Sequence, residues 1–77
     1  MKVRVYGPGC ANCTKTEELV RDVLARLNIA AEVEKVRDLK EIAEAGVFGT
    51  PAVSVDGEIK ISGRMPREAE IESWFTK

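Results

Sequence analysis

Seventy-seven residues make one small domain (residues 1–77), near the lower limit at which a single core holds without staples or metal. Apolar residues at 44% and aromatics at 5% give an aliphatic core and exclude disorder, and a formal charge of −1 removes the electrostatic case for nucleic acid or an anionic membrane as main partner. No segment is long or apolar enough to span a bilayer, and Met1-Lys2-Val3-Arg4-Val5 lacks the apolar region of a signal peptide, so a cytoplasmic protein is expected.

Lys2-Val3-Arg4-Val5-Tyr6 alternates, with Val3 and Val5 on one face, and predicts a first strand ended by Gly7 to Gly9. The stretch Gly7-Pro8-Gly9-Cys10-Ala11-Asn12-Cys13 holds the only two cysteines. A helix beginning near Cys10 aims its unpaired N–H groups and positive dipole end at the first sulfur. That effect, about 0.3–2 kcal/mol, lowers a thiol pKa of about 8.5 by up to about 1.5 units. Gly9, Ala11 and Asn12 make the thiolate's surroundings, Asn12 being either a polar filler of the turn or a donor to the Cys10 sulfur. In a reducing compartment such a pair points to catalysis or metal binding before a structural staple.

From Thr14 to Asn28 the apolar positions Leu19, Val20, Val23, Leu24 and Leu27 recur at helical spacing. Continued backward, the stripe passes through Thr16 and Cys13, so Cys13 is expected to face inward and Cys10 outward. The opposite face is charged, with i,i+4 pairs expected for Glu17–Arg21 and Asp22–Arg26. Ala31 to Val36 is a second strand, parallel to the first across the helix. Asp38 caps a short helix to about Ala45, with Leu39, Ile42 and Ala43 inside and Gly46 closing it. Phe48-Gly49-Thr50-Pro51 makes a loop. Ala52-Val53-Ser54-Val55 and Glu58-Ile59-Lys60-Ile61-Ser62, around Asp56-Gly57, predict a hairpin with a two-residue type I′ turn that sets their register. Pro66 suits the first position of a last helix docked by Ile71, Trp74 and Phe75. The order is β-α-β-α-β-β-α: a four-stranded mixed sheet with three helices, one face well packed under the first and last helices and one thin face under the second. Charged, alternating strands argue against a large apolar interface, so a monomer is expected.

The pair Cys10-x-x-Cys13 after the first strand, Thr50-Pro51 before the third, and the hairpin plus terminal helix together resemble the thioredoxin fold, and within it the small thioredoxin- and glutaredoxin-like prokaryotic members. The resemblance covers the whole chain. It implies a thiol–disulfide oxidoreductase in which Cys10 attacks, Cys13 resolves, and a cis peptide before Pro51 presents Thr50 and Pro51 to an extended substrate segment. It implies protein disulfides as substrates, a thiol reductant or reductase as donor, and no cofactor beyond the Cys10–Cys13 disulfide. Tyr6 and Arg64 complete the candidate substrate contacts, against plainer readings as a half-buried strand residue and a solvated turn arginine. The dipeptide Ala11-Asn12 differs from the Gly-Pro of thioredoxins and the Pro-Tyr of many glutaredoxins. Arg4 stands where thioredoxins place a buried acid.

The rival from another class is a soft-metal or cluster-binding protein using the same dithiol, alone or as a dimer. Small copper and heavy-metal carriers also put Cys-x-x-Cys between a first strand and a first helix. They end in a strand, however, and carry a Met where this chain has Pro8. A closed zinc site needs two more N or S ligands, and the chain has no His and no third Cys. No metal ligand is therefore assigned.

Overall fold

The period-two run at the start of the chain forms β1 (Lys2–Tyr6), and the apolar stripe after the Gly/Pro turn forms α1 (Ala11–Arg26). β2 (Glu32–Val36), α2 (Leu39–Glu44), β3 (Ala52–Val55), β4 (Glu58–Ser62) and α3 (Glu68–Phe75) follow. This computed structural model describes residues 1–9, 11–47 and 49–76. Among them, four strands make one mixed sheet in the order β2-β1-β3-β4. β1 runs parallel to β2, with Val3 opposite Val33; the β1–β3 and β3–β4 pairs are antiparallel. No helix of the described residues is long and apolar enough to cross a membrane.

Alternation along the strands divides the apolar residues between two cores. Val3 and Val5 of β1, Val53 and Val55 of β3 and Ile61 of β4 meet Val20, Val23 and Leu24 of α1 and Ile71 of α3. Behind the sheet, Tyr6, Val36 and Ala52 meet Ile42 of α2 and Val47, with Ile59 packed alongside. The expected thick and thin faces are both present. Of the three α2 residues expected inside, only Ile42 is buried; Leu39 is 68% exposed and Ala43 is exposed as well. A six-residue helix presents one inward position, and Val47, after the helix, fills the space beside it.

Helix ends follow from single residues. Asn28 takes a left-handed φ of 57°. The Ile29 N–H then donates to the Leu24 carbonyl at 2.9 Å and the Asn28 N–H to Ala25 at 3.1 Å, closing α1 with a Schellman motif. At α2 the Asp38 carboxylate accepts from the Lys40 N–H at 2.9 Å, and Gly46 (φ 82°) ends it. α3 departs from expectation. Pro66 is not its first residue but lies ahead of the Arg67 N-cap, fully buried, while the Glu70 carboxylate accepts the Arg67 N–H at 3.1 Å. Arg26 differs too. Glu17–Arg21 pairs along α1 at 3.0 Å, but Arg26 reaches Glu68 and Glu72 of α3 rather than Asp22, because two carboxylates on the neighbouring helix outcompete one on its own.

The hairpin holds a second correction. Asp56 (φ 49°) and Gly57 (φ 88°) form the two-residue turn, which pairs Val55 with Glu58 and Ser54 with Ile59. Regular continuation would set Val53 opposite Lys60. Instead Val53 pairs with Ile61, leaving Lys60 as the extra residue of a β-bulge. The bulge turns Ile61 into the α1/α3 core and Ile59 into the α2 core, although the two residues are two apart in one strand. Deleting Lys60 is therefore expected to restore an uninterrupted ladder with both isoleucines in place. In urea denaturation that deletion should cost less than Ile61→Ala, for which a loss of about 2–5 kcal/mol is expected.

Candidate functional site: a buried half-cystine beside a cis-proline loop

β1 hands the chain to Gly7-Pro8-Gly9, and the two glycines serve different ends. Gly9 has φ 102°, left-handed backbone that side chains resist. At Gly7 the constraint is space: a Cβ there would overlap the Cys13 Sγ and lie 2.7 Å from the Cys13 Cβ. The Gly7 N–H donates to the Val36 carbonyl at 2.9 Å, which ties the turn to the end of β2. Cys13 is fully buried on the same α1 stripe as Thr16, Val20, Val23 and Leu24, facing inward as its spacing implies. It is disulfide-bonded, and no free cysteine occurs among the described residues. Cys10 lies outside the described residues. Ala11 and Asn12 are exposed in the first turn of α1, where the Asn12 carbonyl accepts from the buried Thr16 hydroxyl at 2.7 Å.

The Thr50–Pro51 peptide is cis, with Pro51 buried and Thr50 half-buried. Tyr6 pairs with Ala52, so the next residues along, Gly7 and Pro51, leave adjacent strands at the same end of the sheet. That register brings the seat of Cys13 and the proline loop together. The loop rests on the end of β4: the Gly63 N–H is shared between the Gly49 and Pro51 carbonyls, 3.2 Å from each. The Ser62 hydroxyl donates to the Gly49 carbonyl, also at 3.2 Å. A Cβ on Gly49 would stand 3.0 Å from the Gly63 Cα.

Two candidate contacts do not join the site. Tyr6 is 4% exposed, in the α2 core, its hydroxyl 3.3 Å from the Ser54 hydroxyl, on the opposite sheet face from Val3 and Val5. Arg64 is exposed, but its guanidinium is engaged by the Glu70 carboxylate at 2.9 and 2.7 Å. Glu70 thereby holds the Arg64 pKa above its ordinary value. In return the Arg64 hydrogen bonds, followed by the Arg67 N–H, pull the Glu70 carboxyl from 4.5 down to about 2. Glu17 is also lowered: burial pushes it up, but Arg21 and Lys35 outweigh that. Sequence reasoning missed Gly7 as the seat of the sulfur and Gly63 as the support of the proline loop. The glycines were visible, but the long-range contacts that require them were not.

A mixed sheet in this order, a cysteine-bearing helix after β1 and a cis-proline before β3 define a thioredoxin-like α/β protein. The family described as the thioredoxin domain matches residues 1–76. A thioredoxin of Methanothermobacter thermautotrophicus is 44% identical over 72 residues, 94% of each chain. Two thioredoxins of Methanocaldococcus jannaschii also match. One is 43% identical over 70 residues, 91% of this chain and 80% of its own; the other is 23% identical over 77 residues, 95% and 91%. The chain belongs to the thioredoxin family, whose members are thiol–disulfide oxidoreductases that act on protein disulfides.

Two outcomes follow from this geometry. Gly7→Ala must move either β1 or the Cys13 side chain, so an overpacking loss of about 1–3 kcal/mol is expected, measured by denaturation of the oxidised protein; an unchanged midpoint contradicts the close approach. The lowered Glu70 carboxyl gives stability that is present above its ordinary value of 4.5 and is lost as pH falls towards about 2. The loss is small and salt-sensitive because the pair is exposed. A plot of melting temperature against pH should fall less steeply over that window in Glu70→Gln than in the unsubstituted protein.

Proposed function

We propose that this protein is a cytoplasmic protein-disulfide reductant working through a Cys10/Cys13 couple. The observation that carries the reading is the disulfide-bonded Cys13, buried against Gly7 at the sheet end where the cis Thr50–Pro51 loop leaves β3. Cys10 is the one other cysteine in the sequence and so the partner proposed for that bond.

In the reduced protein the Cys10 thiolate attacks one sulfur of a substrate disulfide. That bond breaks, a Cys10–substrate disulfide forms, and the displaced substrate sulfur leaves as a thiolate and takes up a proton. Cys13, having lost its proton, then attacks the Cys10 sulfur. The substrate leaves as a dithiol, two electrons have passed to it, and the Cys10–Cys13 disulfide remains. A thiol donor or reductase returns the two electrons. The burial of Cys13 suits the resolving role, because a shielded thiol does not compete for substrate but can meet a sulfur three residues before it in the sequence. Thr50 and Pro51 are the proposed substrate platform, and Gly9, Ala11 and Asn12 frame the attacking sulfur.

Titration of the thiols across thiol/disulfide buffers should give one two-electron transition within about −270 to −120 mV. Cys13→Ser should trap a protein substrate as a mixed disulfide through Cys10, and Cys10→Ser should trap none. A pair that stays reduced across that window, or a Cys10→Ser variant that still forms the adduct, overturns the assignment.

A further inference from the structure

The proline loop has no helix or strand of its own to hold it; its described polar contacts run to the end of β4. Gly63 donates to both the Gly49 and Pro51 carbonyls at 3.2 Å, and Ser62 adds its hydroxyl to Gly49. Gly63 has φ 88°, a conformation that glycine adopts freely but does not enforce. The next residue adds a tie from that turn to α3. Arg64 donates twice to the Glu70 carboxylate, at 2.9 and 2.7 Å. Glu70 also accepts the Arg67 N–H, so one carboxylate gathers three donors from the turn and from the cap of α3. Its neighbour Ile71 is fully buried in the main core. A continuous path therefore runs from the core through α3, Glu70, Arg64 and Gly63 to Pro51.

We propose that Arg64 and Glu70 are positioning residues for disulfide exchange, their ion pair clasping the 62–64 turn to α3 so that Gly63 holds the Gly49–Pro51 loop in place to receive a protein disulfide. This deepens the functional reading above and rests on it. The clasp acts on the docking of an extended polypeptide, which needs the loop backbone, and not on the electron transfer between sulfurs. Because Arg64 is exposed and Glu70 only half-buried, the effect is modest and weakens in salt.

The test uses insulin as the protein disulfide, a small aromatic disulfide as control substrate, and dithiothreitol as electron donor. Arg64→Met and Glu70→Gln should each raise the KM for insulin about two- to fivefold. kcat, turnover of the small disulfide and the midpoint of the couple should stay unchanged. The double variant should be no worse than either single one, because both break the same pair; Arg64→Lys, which keeps the charge but loses the fork, should fall between. If Arg64 instead touches substrate directly, Arg64→Met raises KM while Glu70→Gln leaves or lowers it, and the clasp is wrong. Additive effects, equal slowing of the small disulfide, or an unchanged KM in both single variants overturn it as well. If the unsubstituted protein itself reduces no insulin, both this inference and the functional reading fall, a result distinct from failure of the variants.

Discussion

The contact between the Cys13 side chain and the backbone of Gly7 is the constraint on which the rest of this small structure depends. A residue without a Cβ at the end of β1 lets the first turns of α1 sit down onto the sheet. The stripe from Cys13 to Leu24 then lies flat over Val3 and Val5. Moving that contact outward by a single methyl would tilt the helix start and shift the buried Cys13. Gly7 is further fixed by its hydrogen bond to Val36, so three elements converge on one residue without a side chain.

The unequal division of the apolar residues between the two sheet faces serves this arrangement. On the thick face, β1 and β3 lie under α1 and α3, and Arg26 ties those helices together through Glu68 and Glu72. The thin face carries one short helix, an exposed Leu39 and a buried Tyr6–Ser54 hydroxyl pair. The chain thus sets two helices on the face that holds Cys13 and one short helix on the other, with the half-buried Thr50 and the buried Pro51 at the end of the sheet.

Much of this was legible in the residues. Element order, the two faces, the inward Cys13, the cap at Asp38 and the turn at Asp56-Gly57 all follow from patterns within about fifteen residues of one another. Several of the misses depend on partners in other elements of the fold. Arg26 looked like a partner for Asp22 because nothing local announces Glu68. The reading of Arg64 as a solvated turn arginine does not anticipate Glu70 in the next element, and the reading of Tyr6 as a half-buried strand residue does not anticipate the Ser54 hydroxyl forty-eight positions away. Leu39 and Ala43 stay outside because a helix of six residues turns only Ile42 inward. At β4 two local rules, turn register and alternation, disagree by one residue, and only the sheet as a whole decides between them.

That disagreement has a further consequence for solubility. β4 is an edge strand, and a flat, regular β4 would offer its outer row of backbone groups to a second chain. The residue inserted at Lys60 breaks that row at its middle, adds local twist and places a charged side chain at the interruption. The irregularity that distributes two isoleucines between two cores thus also makes the exposed margin of the sheet a poor template for intermolecular pairing. A chain with little surface to spare resists aggregation there without a covering element.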